Sequence, residues 1–189
     1  MAGVRDVAAA VLTRTGPITT MKLQKLLYYA QAWHLVFQRK PMFDEKIEAW
    51  PQGPVTPSIF AGHRKQYQVT SGPSGNAGAL TAPENATLTW VMDKYAHYSA
   101  ETLSRLTHME SPWRVARGIV DENEKSSQPI AHDQMRHFYA RRSPMSTSRS
   151  PRPRPARPWK VSISTTTGNE LSATSRPAPA LPTTWSPKK

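Results

Sequence analysis

Two carboxylates in this chain sit beside tryptophan-containing turns: Glu48 in Ile47-Glu48-Ala49-Trp50-Pro51, and Glu110 in His108-Met109-Glu110-Ser111-Pro112-Trp113. Burial against apolar rings raises a carboxyl pKa, and a raised carboxyl is suited to acid–base work. Nothing in the spacing fixes the distance between the two. The other reading, which the sequence favours, is that each locks its turn by binding Arg114, Arg117 or backbone N–H groups. The histidines are His34, His63, His97, His108, His132 and His137, and no two form a His-Glu-x-x-His pair on one helical face. His108 and Glu110 would supply two metal ligands at most, whereas a site needs more. His108 reads better as a donor ring for the carbonyls that end a helix. There is no cysteine, so thiol catalysis and Cys-ligated zinc are excluded. Gly72, Gly75 and Gly78 lack the strand–helix junction of a phosphate loop, and no serine sits in a nucleophile elbow. The expectation is no catalytic set, no metal and no cofactor, hence not an enzyme.

The remaining signal is aromatic: Tyr28, Tyr29, Trp33, Trp50 and Trp113. Such residues serve cores and binding hot spots alike. Tyr28 and Tyr29 are adjacent on a predicted helix, about 100° apart, so one is expected to face a groove. Trp50, next to Pro51-Gln52-Gly53-Pro54, would form its wall.

The elements that must position these residues read as helices. Val4, Val7, Ala8, Val11 and Leu12 share one face over 4–14, and Thr15-Gly16-Pro17 ends that helix. Thr20 is the expected N-cap of a helix over 21–38, with Leu23, Leu26, Leu27, Ala30, Trp33, His34 and Phe37 inward. Lys22, Lys25, Gln31 and Gln38 lie largely off that stripe. Ile47–Trp50 reads as a short edge strand stopped by Pro51, and Gly53-Pro54-Val55 as a turn. Thr56-Pro57 opens a helix to about 66. Residues 71–83 read as a mobile loop, with Leu80 a strand remnant. Helical spacing returns over 84–98. A helix capped by Ser99 follows, then one opened by Ser111-Pro112 and a last one over 133–142, with Ile130 as an isolated anchor. The fold class is mainly α, one compact helical domain over 1–142 with one or two short strands.

The net charge is +12, but it is uneven: residues 1–142 hold 17 Lys/Arg against 12 Asp/Glu, and 143–189 hold 8 against Glu170 alone. The latter segment also carries nine of the eighteen prolines. Pro151-Arg-Pro-Arg-Pro-Ala-Arg-Pro158 excludes helix and central strand, so 143–189 is expected to be a disordered tail. It reads as an inert solvated tail, as an electrostatic arm for nucleic acid, as a ligand for an SH3-like groove, or as out-of-frame text from a GC-rich gene. No apolar run approaches the roughly 20 residues that span a bilayer. Val7–Leu12 lacks a basic flank and does not read as a secretory signal. The expected location is cytoplasmic, with no membrane partner.

Three segments carry a resemblance: Lys22-Leu-Gln-Lys-Leu-Leu-Tyr-Tyr-Ala-Gln-Ala-Trp-His34, then Ile47-Glu-Ala-Trp50 with Gly53-Pro54-Val55, then Leu106-Thr107-His108 with Pro112-Trp113. In residues, order and spacing they resemble the Panacea domain, the SocA-like or GepA-type domain of bacteria and phages, over about 4–140. Pro51 and the tail after Arg142 depart from it. The resemblance implies an antitoxin that neutralises a cognate protein toxin by direct contact, with one relative acting as an adaptor to the ClpXP protease. On that reading Tyr28, Tyr29, Trp33, Trp50 and Trp113 bind the toxin, while Lys22, Lys25, Glu48, His108 and Glu110 orient the groove or its rim. The rival readings are a nucleic-acid-binding regulator using the tail, and a hydrolase built on Glu48, His108 and Glu110.

Overall fold

A computed structural model describes residues 2–70, 74–119, 121 and 124–143. The chain divides into two units, 1–151 and 152–189, and the second lies outside the described residues. Of the expected disordered tail, 143–189, Ser143 is described and buried at the end of the last helix, its N–H donating to the Ala140 carbonyl, and the rest lies outside the described residues.

The element order is α1 (Val4–Thr15), β1 (Ile18–Thr19), α2 (Thr20–Gln38), β2 (Glu48–Trp50), β3 (Gly53–Val55), α3 (Pro57–Gly62), β4 (Gln68–Val69), a 3-10 turn (Ala77–Ala79), α4 (Ala82–Tyr95), α5 (Ala100–Met109), α6 (Ser111–Arg117) and α7 (His132–Ala140). This is the mainly α architecture that the helical periodicity implies. Among the described residues no helix is long and apolar enough to cross a membrane.

The cap of α2 is Thr19, one residue earlier than expected. Its hydroxyl accepts the Lys22 N–H at 3.2 Å. Thr20 is diverted: its hydroxyl donates to the Gln66 carbonyl at 2.6 Å, and its N–H to that of Tyr67 at 3.0 Å. These bonds dock the segment leading to β4, which pairs antiparallel with β1. Two-residue strands leave no period to read, and this pair was not expected from the sequence.

The larger surprise is how much of α2 is buried. Fourteen of its nineteen residues are inside, because α1, α3, α4, α5, α7 and the β2–β3 hairpin surround it. A helix so enclosed has no solvated face to keep polar. Its buried polar residues instead serve irregular backbone. Gln31 donates to the Phe43 carbonyl at 2.8 Å and accepts the Met42 N–H at 2.8 Å. Gln24 accepts the Thr56 N–H at 2.7 Å, and Lys25 Nζ donates to the Pro54 carbonyl at 3.1 Å. Lys25 and Gln31, expected largely off the core stripe, are buried because these backbone groups need partners.

Residues 47–55 also differ from expectation. Gly53–Val55 is a strand, not a turn, and Trp50 pairs with Gly53 across the hairpin. Nor is β2 an edge. On its other side Ala49 N–H donates to Gln128, Ile130 N–H donates to Ile47, and Glu48 bridges Pro129. Ile130 is buried there, as an anchor should be. Gly53 has φ of +100°, and a Cβ on it would lie 2.7 Å from Lys25 Nζ and 2.9 Å from Thr107 Oγ1. Gly53→Ala is therefore expected to cost about 2–3 kcal/mol, from strained backbone and overpacking together. Urea unfolding with an unchanged m-value and a lowered midpoint checks it.

Residues 71–73 of the expected mobile loop lie outside the described residues, but the rest is tied down. Asn76 N–H donates to Asp6 at 2.8 Å, Leu80 is buried, and α4 already begins at Ala82. Thr81 and Glu84 form its capping box, with Glu84 accepting the Thr81 N–H at 2.8 Å. Ser99 caps α5 as expected, accepting the Thr102 N–H. α3 stops at Gly62, short of the expected 66, and Glu110 rather than Ser111 is the N-cap of α6.

Candidate functional site

An open groove of about 950 Å³ runs beside the hairpin, between the start of α2, the Phe60–Tyr67 stretch, the start of α5 and residues 125–127. Its walls are largely apolar: Met21, Trp50, Val55, Phe60 and Tyr67. The Trp50 and Phe60 rings meet edge to face, 4.9 Å between centroids. Tyr67 is 81% exposed, an aromatic ring with little of its surface covered.

Trp50 is fixed from behind. Its indole N–H donates to Glu48 at 2.8 Å, and its carbonyl accepts the Trp113 indole N–H at 3.0 Å. Trp113 is itself stacked on the His108 ring at 4.3 Å, with the Arg117 guanidinium 5.8 Å from its ring centroid. Arg117 donates to the carbonyls of Ala49, Asp121 and Glu124. The α5–α6 corner therefore holds the hairpin and the following segment in register, and through them the Trp50 wall.

Of the ten residues singled out in sequence, Trp50, Glu48 and Lys25 line this groove. Trp113 and His108 stand behind it. Tyr28, Tyr29 and Trp33 do not reach it. Both tyrosines are fully buried, so the expectation that one of them faces a groove is corrected: with α4, α5 and α7 all packed on α2, both sides of the Tyr28–Tyr29 arc are inside. Tyr29 stacks on Tyr95 at 4.0 Å, and Tyr28 meets Tyr139 edge-on at 6.1 Å. Trp33 packs against Trp90 and donates to the Tyr95 hydroxyl at 3.0 Å. Lys22 lies elsewhere and donates to the Ala96 carbonyl at 2.7 Å, where a cation suits the end of α4.

Glu110 is also corrected. It binds two phenols rather than Arg114 or Arg117: the Tyr29 hydroxyl donates to it at 3.3 Å and the Tyr139 hydroxyl at 2.5 Å. Burial pushes its carboxyl up to about 7, against the pull of the two phenols and Arg142. Burial likewise raises Tyr29 and Tyr139, and Tyr95 to about 12. This is a tethering node between α2, α6 and α7. Glu48 binds the Trp50 indole, not an arginine. Gln24, Phe60 and Tyr67 were missed in sequence; the Gln24–Thr56 bond sets the start of α3, which carries Phe60, and the β1–β4 pairing with the Thr20 bonds brings Tyr67 to the groove. Among the described residues no three His, Asp or Glu side chains converge as metal ligands.

Lys25 is the electrostatic oddity. It is 1% exposed, and burial lowers its pKa to about 7. Among the described residues no carboxylate comes within salt-bridge distance of it. Lys25→Met is expected to stabilise the fold by about 2 kcal/mol at pH 7, because removal of a buried charge outweighs loss of its bond to Pro54. A higher denaturation midpoint at pH 7 would show it, and a lower one would mean that the bond to Pro54 dominates.

Residues 23–114 match the family model described as Antitoxin SocA-like, Panacea domain. Among curated proteins the chain is similar to Antitoxin SocA of Caulobacter vibrioides (strain NA1000 / CB15N), 43% identical over 44 residues. That stretch is 23% of this chain and 23% of the relative's length. No solved structure matches the chain.

Proposed function

Residues 23–114 are a SocA-like Panacea domain, and from that premise we propose that this protein is an antitoxin that neutralises a cognate protein toxin by direct binding in the Trp50 groove. The observation that carries the choice of site is the pairing of an exposed aromatic, Tyr67, with a rigidly backed one, Trp50, on one open groove. Binding hot spots are enriched in such aromatic anchors, and rigid backing lowers the cost of association. The described lining is mainly aromatic and apolar, which supports a binding rather than a catalytic role.

Co-expression of the full chain with the adjacent toxic open reading frame tests the reading. Growth rescue together with a co-purifying complex supports it; a toxic neighbour with neither rescue nor complex overturns it. The resemblance further implies delivery of the captured toxin to ClpXP. A toxin half-life that lengthens when ClpX is absent supports that step, and an unchanged one removes it.

A further inference from the structure

Polar groups at the base of the groove narrow the chemistry of its occupant. Gln24, 2% exposed, spends its carbonyl on the Thr56 N–H and leaves Nε2 with no partner. Lys25, next to it, uses one of three N–H donors, on Pro54. Both residues line the groove. The floor thus has N–H groups to spare and, among the described residues, a cation without a counter-ion. Buried donors in that state cost free energy until an acceptor arrives. The rim adds Arg64 and Lys125 against Glu101, while Glu48 is already engaged by the Trp50 indole.

We propose that the groove takes an acidic side chain of a partner protein, an Asp or Glu flanked by apolar residues, with its carboxylate on Lys25 and Gln24 and its neighbours on Trp50, Phe60 and Tyr67. Charge complementarity selects this occupant over the chain's own C-terminal segment. That segment carries eight Lys/Arg against one Glu, and would set like charge against Lys25. The inference deepens the toxin-binding reading and takes its biological meaning from it: the bound toxin segment would be an apolar stretch punctuated by an acid.

Selection of a phage-displayed random peptide library on the full chain is the test. The peptides are flanked by carrier sequence on both sides, so every carboxylate comes from a side chain. Selected peptides are expected to share an acid beside an aromatic or branched aliphatic residue. A synthetic peptide from that set, capped at both ends, should bind about tenfold or more weakly once its acid is changed to the amide, as for a hydrogen bond to a charged group. Lys25→Met should cause a similar loss, and the two losses should not add. Tyr67→Ala, at an exposed position, should weaken binding without touching the fold. Failure to select peptides, enrichment without acids, or enrichment of Arg/Pro-rich sequences would each overturn the proposal. So would losses that add in full, or a dimer in sedimentation that Tyr67→Ala dissolves. Rescue by co-expression without acidic peptides would overturn this inference alone; acidic peptides bound without rescue would overturn the toxin-binding reading alone.

Discussion

Trp50→Ala combined with Tyr67→Ala is expected to abolish neutralisation of the toxin while leaving the domain folded. Tyr67 exposes most of its ring, so its truncation removes little that folding buried. Trp50 is only half-buried, and its carbonyl, which holds Trp113, survives the substitution. The fold therefore loses the contact with Phe60 and the indole bond to Glu48, both at the groove face. Truncation of a hot-spot aromatic costs about 2 kcal/mol or more of binding, and two anchors on one groove lower affinity by roughly a thousandfold. Growth under toxin co-expression reads the result, with thermal denaturation of the double variant as the folding control. A folded double variant that still rescues would move the interface elsewhere. Trp33→Phe is the contrast. Trp33 is buried and bonded to Tyr95, so that substitution should lower stability and leave the affinity of the folded protein intact.

Helices were legible because their signals are local. Ser99, Thr56-Pro57 and the 3.6-residue stripe of α1 each declare themselves within a few positions. The groove was half legible. Trp50 and Glu48 stood out because a tryptophan between a carboxylate and a proline is an unusual local arrangement. Phe60, Tyr67 and Gln24 were not, because what brings them together is long-range: Thr20 binding Gln66 and Tyr67, and Gln24 binding Thr56. The polar residues of α2 misled for a related reason. Periodicity assumes that a polar side chain off the stripe meets water. In α2 it meets the backbone of the hairpin and of residues 42–43, and a buried amide or lysine that satisfies backbone is indistinguishable in sequence from one on a surface. Around Glu110 the sequence offers nearby arginines as partners, whereas α7 brings Tyr139 from 29 residues away.

The stability of the domain is expected to pass through a minimum near pH 7, set by two buried groups whose shifts run in opposite directions. Glu110 titrates at about 7 in the folded chain, raised from 4.5 by burial. Between those values the native state binds the extra proton, so stability falls as pH rises, by about 3 kcal/mol in all. The contribution is fully present below 4.5 and gone above 7. Lys25 titrates at about 7 in the folded chain, lowered from 10.5 by burial. Between 7 and 10.5 the unfolded chain binds the extra proton, so stability climbs with pH, by up to about 4–5 kcal/mol. Urea midpoints measured from pH 4.5 to 10 should trace a valley. Glu110→Gln should flatten its acid side and leave the alkaline side, since a glutamine can accept from one phenol on its carbonyl oxygen and donate to the other from its amide, and carries no charge to desolvate. Lys25→Met should flatten the alkaline side alone, and the double variant should remove the valley. Burial also lowers His34, which opposes the Glu110 slope below 6.5; a profile that still rises from pH 5 to 7 in a His34→Gln variant would mean that the two phenols stabilise the Glu110 carboxylate more than burial penalises it. The same valley bears on function. An acidic segment docking on Lys25 supplies a counter-charge that the described residues lack, so a toxin that binds there should stabilise its antitoxin most below about pH 7, where Lys25 is charged, and progressively less above it.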